Sequence, residues 1–370
     1  MRTFKVRLHK KKIADTIGYR PRPTGNPMPV SHHDLFEAWK TVLCLSCLKP
    51  GDNVTVLTGS HTHPQTLDAA IAAVRALGAV PTRVDLEPLN AEKSLSRDPL
   101  AYLGTTPLSG NRAAMAACLA SDLVIDLMLL LFSPEQQQIL ESGTRILLAV
   151  EPPEILVRLL PSAEDRTRVN AAAEHLASAR TMHVTSAAGT DVMFRLGQYP
   201  VIKEYGFVDE PGRWDHWPSG FLFTWPNEGA SDGTIVLDRG DILLPQKRYL
   251  STPVTLTVKH GYVTDIAGDV EADLFREYME SFDDAEGYAL SHIGWGLQQR
   301  AKWSTLSLYD REQTIAMDAR AFAGNFLFSL GPNTEVGGTR NTACHIDIPL
   351  RGCTVKLDER VVVQAGKLVE

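Results

Sequence analysis

The sequence has few cysteines and no long apolar run. Its 370 residues include five cysteines, an odd number without the spacing of a disulfide framework, which is typical of a protein in a reducing compartment. The most apolar stretch, residues 123–132, contains Asp126 and is far shorter than the roughly 20 residues of a membrane-spanning helix. The basic residues near Met1 are not followed by the apolar core of a signal peptide. We therefore expect a cytoplasmic protein without a membrane partner.

An excess of basic residues is also absent. The 37 lysines and arginines are outnumbered by 44 aspartates and glutamates, which gives a net charge of −7. A protein that binds the phosphate backbone would concentrate positive charge, so we expect no nucleic-acid partner. The sequence also has no G-x-x-x-x-G-K-[ST], G-x-S-x-G or H-E-x-x-H motif, and no G-x-G-x-x-G motif after its first predicted strand. These absences disfavour nucleotide-dependent transfer, serine hydrolysis and zincin-type proteolysis.

The chain is long enough for two domains, and the pattern of its predicted elements changes near residue 165. Residues 1–27 are rich in basic residues and proline, which predicts a flexible extension. In residues 28–164 short apolar strands alternate with helical segments, which indicates a layered α/β domain with a mainly parallel sheet. The apolar run at 122–131 is typical of a central strand in such a sheet. Residues 165–370 are predicted to form an α+β domain that binds a metal.

A long segment of the second domain is rich in aromatic residues. Residues 197–226 contain several glycines, prolines and tryptophans but no clear strand or helix pattern. Long irregular loops inside compact domains are often functional, and aromatic side chains suit the wall of a pocket for an aromatic ligand. Anchoring of the loop to the core by the same side chains explains the composition equally well.

Histidine and carboxylate residues remain as candidates for chemistry. His345 and Asp347 are the polar positions of an otherwise apolar segment, and residues i and i+2 of a strand project from the same face. His292 lies in an expected loop with two glycines, where the backbone can pack closely around an imidazole. Two histidines and one carboxylate can form the facial triad that leaves three positions of iron(II) open. An H-x-D pair alone does not establish metal binding. These three residues are therefore treated as candidates for a metal site.

Three further histidines are candidates for other roles. His216 lies between Asp215 and Trp217, and an imidazole there could contact a substrate or transfer protons near neutral pH. His61 and His63 follow the first predicted strand. The carboxyl ends of strands in an open α/β sheet commonly border a ligand crevice, so these two residues could contact a ligand.

Four segments of the chain are specific enough to indicate a family. These are residues 146–154 (ILLAVEPPE), 209–228 (DEPGRWDHWPSGFLFTWPNE), 291–298 (SHIGWGLQ) and 328–338 (FSLGPNTEVGG). They resemble the 2,5-dihydroxypyridine 5,6-dioxygenase family of bacterial nicotinate and nicotine breakdown, and the resemblance runs from about Met28 to the C-terminus. That family is distantly similar to thermophilic leucyl-aminopeptidase-like metalloproteins.

The resemblance implies an iron(II) cofactor on His292, His345 and Asp347 and substrate contacts at four further positions. These positions are Leu131, Glu204, His216 and Ser329. It also implies that O₂ and 2,5-dihydroxypyridine meet on the iron. The C5–C6 bond then breaks with both oxygen atoms retained, which gives N-formylmaleamate. An enzyme of this kind is commonly a symmetric homo-oligomer.

Phe132 departs from the family pattern. The family has an acid–base histidine directly before the Ser-Pro-Glu-Gln segment, and Phe132 occupies that place here. A phenyl group cannot carry a proton. Three interpretations follow: the chain is an inactivated variant, another group such as His216 takes over, or the substrate differs.

Three alternative functions stay open. A two-metal hydrolase of the aminopeptidase type would need additional bridging carboxylates, and Trp295 stands where such a ligand would be expected. The second alternative is a binding protein that has no catalytic activity, and Phe132 is the only feature that favours it. A dioxygenase for a related hydroxypyridine would keep the fold and the metal and differ in the pocket.

Overall fold

The structure is a computed structural model that describes residues 30–87, 102–103, 105–131 and 133–369. The predicted extension at 1–27 and Phe132 lie outside these described residues. The described helices are α1 (His32–Leu45), α2 (Pro64–Ala76), α3 (Arg112–Leu119), α4 (Pro134–Glu141), α5 (Pro153–Arg158), α6 (Ala163–Ser178), α7 (Val270–Glu280) and α8 (Met317–Ala321). None of these helices is long and apolar enough to span a membrane.

The described strands are numbered in chain order. The first eleven are β1 (Asn53–Thr58), β2 (Val80–Asp85), β3 (Tyr102–Leu103), β4 (Leu123–Asp126), β5 (Leu130–Leu131), β6 (Arg145–Leu148), β7 (Thr181–Ser186), β8 (Asp191–Arg195), β9 (Ile202–Glu204), β10 (Trp214–His216) and β11 (Phe221–Thr224). The others are β12 (Ser231–Leu237), β13 (Ile242–Leu243), β14 (Arg248–Tyr249), β15 (Val254–Lys259), β16 (Tyr262–Gly268), β17 (Leu290–Gly296), β18 (Phe326–Leu330), β19 (Ile346–Leu350), β20 (Cys353–Leu357), β21 (Arg360–Gln364) and β22 (Lys367–Leu368).

A parallel sheet with the order β10–β6–β4–β1–β2 forms the core of the N-terminal region. Local sequence signals explain where its first two helices begin. Ser31 caps α1 by accepting a hydrogen bond from the backbone N–H of Asp34, and Pro64 occupies the first turn of α2, where a missing N–H costs nothing. β4 is buried along its whole length, as expected for a central strand covered on both faces. The predicted parallel α/β architecture is confirmed.

The apolar run at 122–131 is not one continuous strand, and this part of the prediction is wrong. β4 ends at Asp126, whose carboxylate accepts hydrogen bonds from the backbone N–H groups of Met128 (2.7 Å) and Leu130 (2.9 Å). Such side-chain bonds compete with strand pairing. Leu129 adopts a left-handed conformation with a φ of 59°. The chain therefore bends before the short β5.

Two antiparallel sheets dominate the C-terminal region. One has the order β19–β18–β17–β11–β9, and the other has the order β16–β15–β12–β8–β7–β20–β21–β22. In β15, buried positions alternate with partly exposed ones, which is typical of a sheet with one face on the core. Helix α7 packs against β16 and β15. The predicted α+β architecture of this region is confirmed.

The aromatic segment at 197–226 is not an irregular loop, and this prediction is also wrong. It contains β9, β10 and β11. β9 and β11 belong to the five-stranded antiparallel sheet, whereas β10 pairs with β6 at the edge of the parallel sheet. The parallel sheet therefore includes residues from both sides of the predicted boundary at 164/165. Trp217, directly after β10, contacts Trp39 of α1 edge-on, with 5.1 Å between the ring centroids.

Candidate functional site

Three side chains chosen from the sequence converge on the five-stranded antiparallel sheet. His292 lies on β17, Asp347 lies on β19, and His345 directly precedes β19. Nε2 of His292 is 3.2 Å from Oδ1 of Asp347, and Nε2 of His345 is 3.5 Å from the same oxygen. One possible ligand atom of each residue lies within 4.8 Å of the other two. The three groups therefore face a common point.

Strand β17 carries His292 where a glycine-containing loop was expected, and it is buried along its length. A Cβ atom at Gly294 would lie 1.9 Å from the carbonyl oxygen of Leu222, and one at Gly296 would lie 2.3 Å from that of Phe322. The glycines therefore let β11 and the backbone after α8 approach β17 closely. This close packing fixes the position of His292.

Asp347 has the surroundings of a metal ligand. Its Oδ1 atom is buried and accepts no hydrogen bond from the residues that the structure describes. Burial opposes ionisation, but the charge of Arg320 and the imidazoles of His345 and His292 hold the pKa of Asp347 well below its usual range. Adjacent ligands of a six-coordinate ion with bonds of about 2.1 Å lie about 3 Å apart. The two imidazoles and the ionised carboxylate therefore fit a divalent metal ion.

Two polar side chains orient the candidate ligands. Nε of Arg320 donates a hydrogen bond of 2.6 Å to Oδ2 of Asp347, and Nη1 donates to the carbonyl oxygen of Ile315. Only Oδ1 of Asp347 then faces the imidazoles. The hydroxyl of Ser329 accepts a hydrogen bond from the backbone N–H of His292 (2.8 Å) and donates one to its carbonyl oxygen (3.2 Å).

The candidate ligands border a cavity of about 540 Å³. Aromatic side chains form much of its described wall, and most of them come from the segment at 197–226. These residues are Trp214, Phe221, Phe223, Trp225, Tyr278 and Phe282. The ring centroids of Phe223 and His292 are 4.6 Å apart. The cavity therefore offers flat apolar surfaces directly beside the candidate metal site, as the aromatic composition suggested.

Leu131 lines the same cavity together with Leu129. The turn held by Asp126 places both leucines there. Burial raises the pKa of Asp126 to about 6, although its bonds to the backbone N–H groups oppose this shift. Phe132, the next residue, lies outside the described residues.

A buried glutamate holds another part of the cavity wall. Glu151 follows β6 and accepts hydrogen bonds from the backbone N–H of Met317 (2.7 Å) and the hydroxyl of Thr314 (2.5 Å). Burial raises the pKa of Glu151 to about 7, although both bonds oppose the shift. Ile315 and Met317 line the cavity, so Glu151 connects the parallel sheet to this wall.

Glu204 and His216 form a buried pair in the cavity wall. Nε2 of His216 is 2.7 Å from Oε2 of Glu204, and Nδ1 donates a hydrogen bond of 2.7 Å to the carbonyl oxygen of Pro218. Burial favours the neutral ring, but the nearby charges of Glu204 and Asp215 outweigh it and raise the pKa of His216 to about 9. His216 is therefore an imidazolium at neutral pH with both nitrogens engaged. Such a group stabilises negative charge better than it accepts a proton.

Glu204→Gln is expected to remove a pH-dependent part of the stability. The pKa of His216 is raised from 6.5 to about 9 on folding. The pair therefore stabilises the fold fully below about pH 6.5 and loses this contribution as the pH rises through about 9. The whole shift corresponds to on the order of 3 kcal/mol, and Glu204 is the largest of the groups that raise the pKa. Thermal unfolding of wild-type and Glu204→Gln protein across this range measures it.

The exposed residue Glu87 provides the control for this experiment. Glu87→Gln should show the same pH dependence of stability as the wild type, because the side chain of Glu87 is exposed. If Glu204→Gln also followed the wild-type curve, the charge of Glu204 would not be what keeps His216 protonated.

Ser329, His61 and His63 are not among the described residues that line the cavity beside the metal ligands. Ser329 is fully buried and is not among the described residues that line this cavity, so its hydroxyl supports the His292 backbone. His61 and His63 line a separate cavity of about 300 Å³ beyond the carboxyl ends of β1, β4 and β6. The crevice at the strand ends is therefore where it was expected, but these histidines are not brought to the candidate metal site.

Comparisons with known proteins show similarity to one family. A sequence model of the 2,5-dihydroxypyridine 5,6-dioxygenase family matches residues 34–370. A 2,5-dihydroxypyridine 5,6-dioxygenase from Pseudomonas putida KT2440 is 54% identical over 342 residues, which cover 92% of this chain and 98% of the relative. A solved structure of 2,5-dihydroxypyridine dioxygenase from the same strain has a TM-score of 0.89, with 54% identity and the same coverage of both chains. AmpT from Thermus thermophilus shares the fold, with a TM-score of 0.60 at 15% identity over 91% of this chain and 99% of that one.

Proposed function

Because the chain belongs to the 2,5-dihydroxypyridine 5,6-dioxygenase family, we propose that it opens the ring of 2,5-dihydroxypyridine at a single iron(II) ion. His292, His345 and Asp347 would hold this ion. The C5–C6 bond breaks, both atoms of O₂ enter the product, and the product is N-formylmaleamate. The observation that carries the proposal is the convergence of two imidazoles and one ionised carboxylate beside an aromatic cavity.

Iron(II) supplies the redox centre that lets triplet O₂ react with a singlet aromatic ring. The protein contributes orientation and electrostatics. The faces of Phe223 and Trp225 offer packing surfaces for a flat ring. Leu129 and Leu131 make that part of the wall apolar, which limits water near the reacting atoms.

The Glu204–His216 pair is proposed to bind the polar groups of the substrate. A hydroxypyridine that has lost a proton carries negative charge, and the imidazolium of His216 supplies positive charge at the cavity wall. The pair is fixed by the bond from His216 to Pro218, so little reorganisation is needed when the charge develops. Ser329 is proposed to act indirectly, by holding the backbone of His292.

Oxygen uptake and metal analysis test the proposed function. Protein loaded with ferrous iron under anaerobic conditions should bind one iron per chain, and addition of 2,5-dihydroxypyridine should consume one O₂ per ring opened. The Phe132→His form serves as the second sample, since the missing proton carrier could make the wild-type reaction slow. If neither form consumed O₂, the substrate assignment would be wrong, and related hydroxypyridines would be tried next. A pair of zinc or cobalt ions with peptide hydrolysis would favour the aminopeptidase-type alternative.

Arg320→Lys is expected to weaken iron binding by about 10–100-fold, because partners that orient a metal ligand have effects of this size. A lysine ammonium cannot reproduce the bonds of the guanidinium to both Asp347 and Ile315. Competition with a chelator measures the affinity, and thermal unfolding checks the fold. Arg311→Lys, an exposed change in the same segment, should bind iron like wild type. Equal affinity in Arg320→Lys would show that Asp347 is oriented without Arg320.

The biological setting also belongs to the proposal. The resemblance supports a role in nicotinate or nicotine breakdown. The low cysteine content is consistent with a cytoplasmic location. Enzymes of this kind are commonly symmetric homo-oligomers, and sedimentation of the purified protein would measure the assembly.

A further inference from the structure

Arg340 is a buried arginine in the connection between β18 and β19. Its side chain and backbone together are only 7% exposed. The backbone N–H of Arg340 donates a hydrogen bond of 2.8 Å to Oδ1 of Asn333, and the backbone N–H of Asn333 donates one of 3.1 Å to the carbonyl oxygen of Arg340. These bonds close the intervening loop and fix the position of Arg340.

The guanidinium of Arg340 has two donors without acceptors. Nε and Nη2 are both buried, and neither has a hydrogen-bond partner among the described residues. These two nitrogens share one edge of the guanidinium, so their N–H bonds point in the same direction. Two parallel donors match the two oxygens of a carboxylate. A buried guanidinium is stabilised when an anion accepts its hydrogen bonds, so this edge is suited to bind a carboxylate.

Two carboxylates that line the same cavity as Arg340 accept hydrogen bonds from other donors. Oε1 of Glu228 accepts hydrogen bonds from the hydroxyl of Tyr199 (2.7 Å) and from Nδ2 of Asn333 (2.7 Å). The hydroxyl of Tyr262 donates to both oxygens of Glu286. These glutamates face the same space as Arg340 without forming an ion pair with it. The glutamates repel negative charge, so a carboxylate group, which carries one negative charge, suits this setting better than a phosphate group that carries two.

A cavity of about 570 Å³ gives access to this site. Its described lining includes Arg340 together with Glu228, Tyr262 and Glu286. This cavity is distinct from the one beside the candidate metal ligands. The same loop contributes Glu335 and Val336 to the metal-side cavity, so one short segment separates the two.

We propose that Arg340 binds a carboxylate group in this second surface cavity. The carboxylate belongs either to a small organic acid or to an acidic side chain of a second copy of this chain, and both present the same pair of oxygens. The proposal does not depend on iron or on the identity of the ring that is cleaved.

Binding of succinate tests whether the carboxylate belongs to a small organic acid. Succinate should raise the unfolding temperature of the wild type, and calorimetry should show at least a tenfold loss of affinity in Arg340→Met. Arg340→Lys should bind succinate more weakly than the wild type, because one ammonium cannot form two parallel bonds. Arg112→Met removes an exposed arginine and should behave like the wild type. Equal succinate binding by Arg340→Met and the wild type would place the ligand elsewhere, including on the metal, and would overturn this source.

Stability without succinate separates a binding role from a structural one. If the guanidinium lacks a partner in the free protein, Arg340→Met should unfold at the same temperature as the wild type or higher. A marked destabilisation of both Arg340→Met and Arg340→Lys would mean that the guanidinium already has a structural partner, and the proposal would fail.

Sedimentation at several protein concentrations tests whether the carboxylate belongs to a second copy of this chain. Association of the wild type that is lost in Arg340→Met and retained in Arg112→Met would assign the carboxylate to a second copy. If neither succinate binding nor association depended on Arg340, or if inorganic phosphate bound there in preference to succinate, the carboxylate proposal would be overturned.

Discussion

His345→Ala and Asp347→Asn are expected to lose iron and turnover together. Both residues belong to the three groups that face a common point in the sheet. His345→Ala removes one ligand of a divalent ion, and Asp347→Asn removes the negative charge beside it. Asparagine preserves the shape of Asp347 and leaves an oxygen for Arg320, so the partly buried guanidinium keeps an acceptor. Turnover should fall to the background rate in both variants.

Metal analysis after anaerobic loading and gel filtration measures this prediction, with O₂ uptake as the second readout. His33→Ala is the matched control, because His33 is exposed at the start of α1 and should keep both iron and turnover. Circular dichroism confirms that each variant is folded. A full iron complement in His345→Ala or Asp347→Asn would remove that residue from the proposed site.

The local part of this site could be predicted from the sequence. His345 and Asp347 alternate with apolar residues, and the two-residue period of a strand places their side chains on one face. The structure brings both side chains toward one point, with Nε2 of His345 3.5 Å from Oδ1 of Asp347. Alternation of strands and helices likewise predicted the parallel sheet of the N-terminal region, since helices must connect parallel strands.

The non-local part of the site could not be predicted in this way. His292 approaches Asp347 because β18 pairs with both β17 and β19. The pairing of β17 with β18 shifts register between Leu290 and Ile293, and such an irregularity can redirect a side chain. One sequence does not reveal which strands pair or where the register shifts.

Arg320 and strand β10 illustrate two further limits. Arg320 reaches Asp347 from α8, and no spacing in the sequence connects the two residues. β10 has three residues, which is too short for a two-residue period to be distinguished from chance. Its pairing with β6 therefore became visible only in the folded chain.

Phe132→His is expected to raise the rate of ring opening by about 10²–10⁴-fold, the usual contribution of a positioned acid–base group. A phenyl group can neither accept nor donate a proton, and the reaction of a hydroxypyridine with O₂ requires movement of its hydroxyl proton. His216 is poorly suited to replace the missing group, because its pKa is raised to about 9 and Nε2 faces Glu204. Iron content and substrate affinity should change little, since Phe132 is not among the proposed metal ligands.

Phe132→Leu separates proton transfer from a change of shape, because leucine also removes the phenyl ring but carries no proton. The rate of Phe132→His should depend on one ionisation near the ordinary histidine pKa of about 6.5, and Phe132→Leu should show neither the gain nor this dependence. Equal rates in the two variants would mean that the bulk of Phe132, rather than its chemistry, limits the wild type. A wild-type rate already equal to that of Phe132→His would mean that another group of the chain moves the proton, and the Glu204–His216 pair would then be the first to test by substitution.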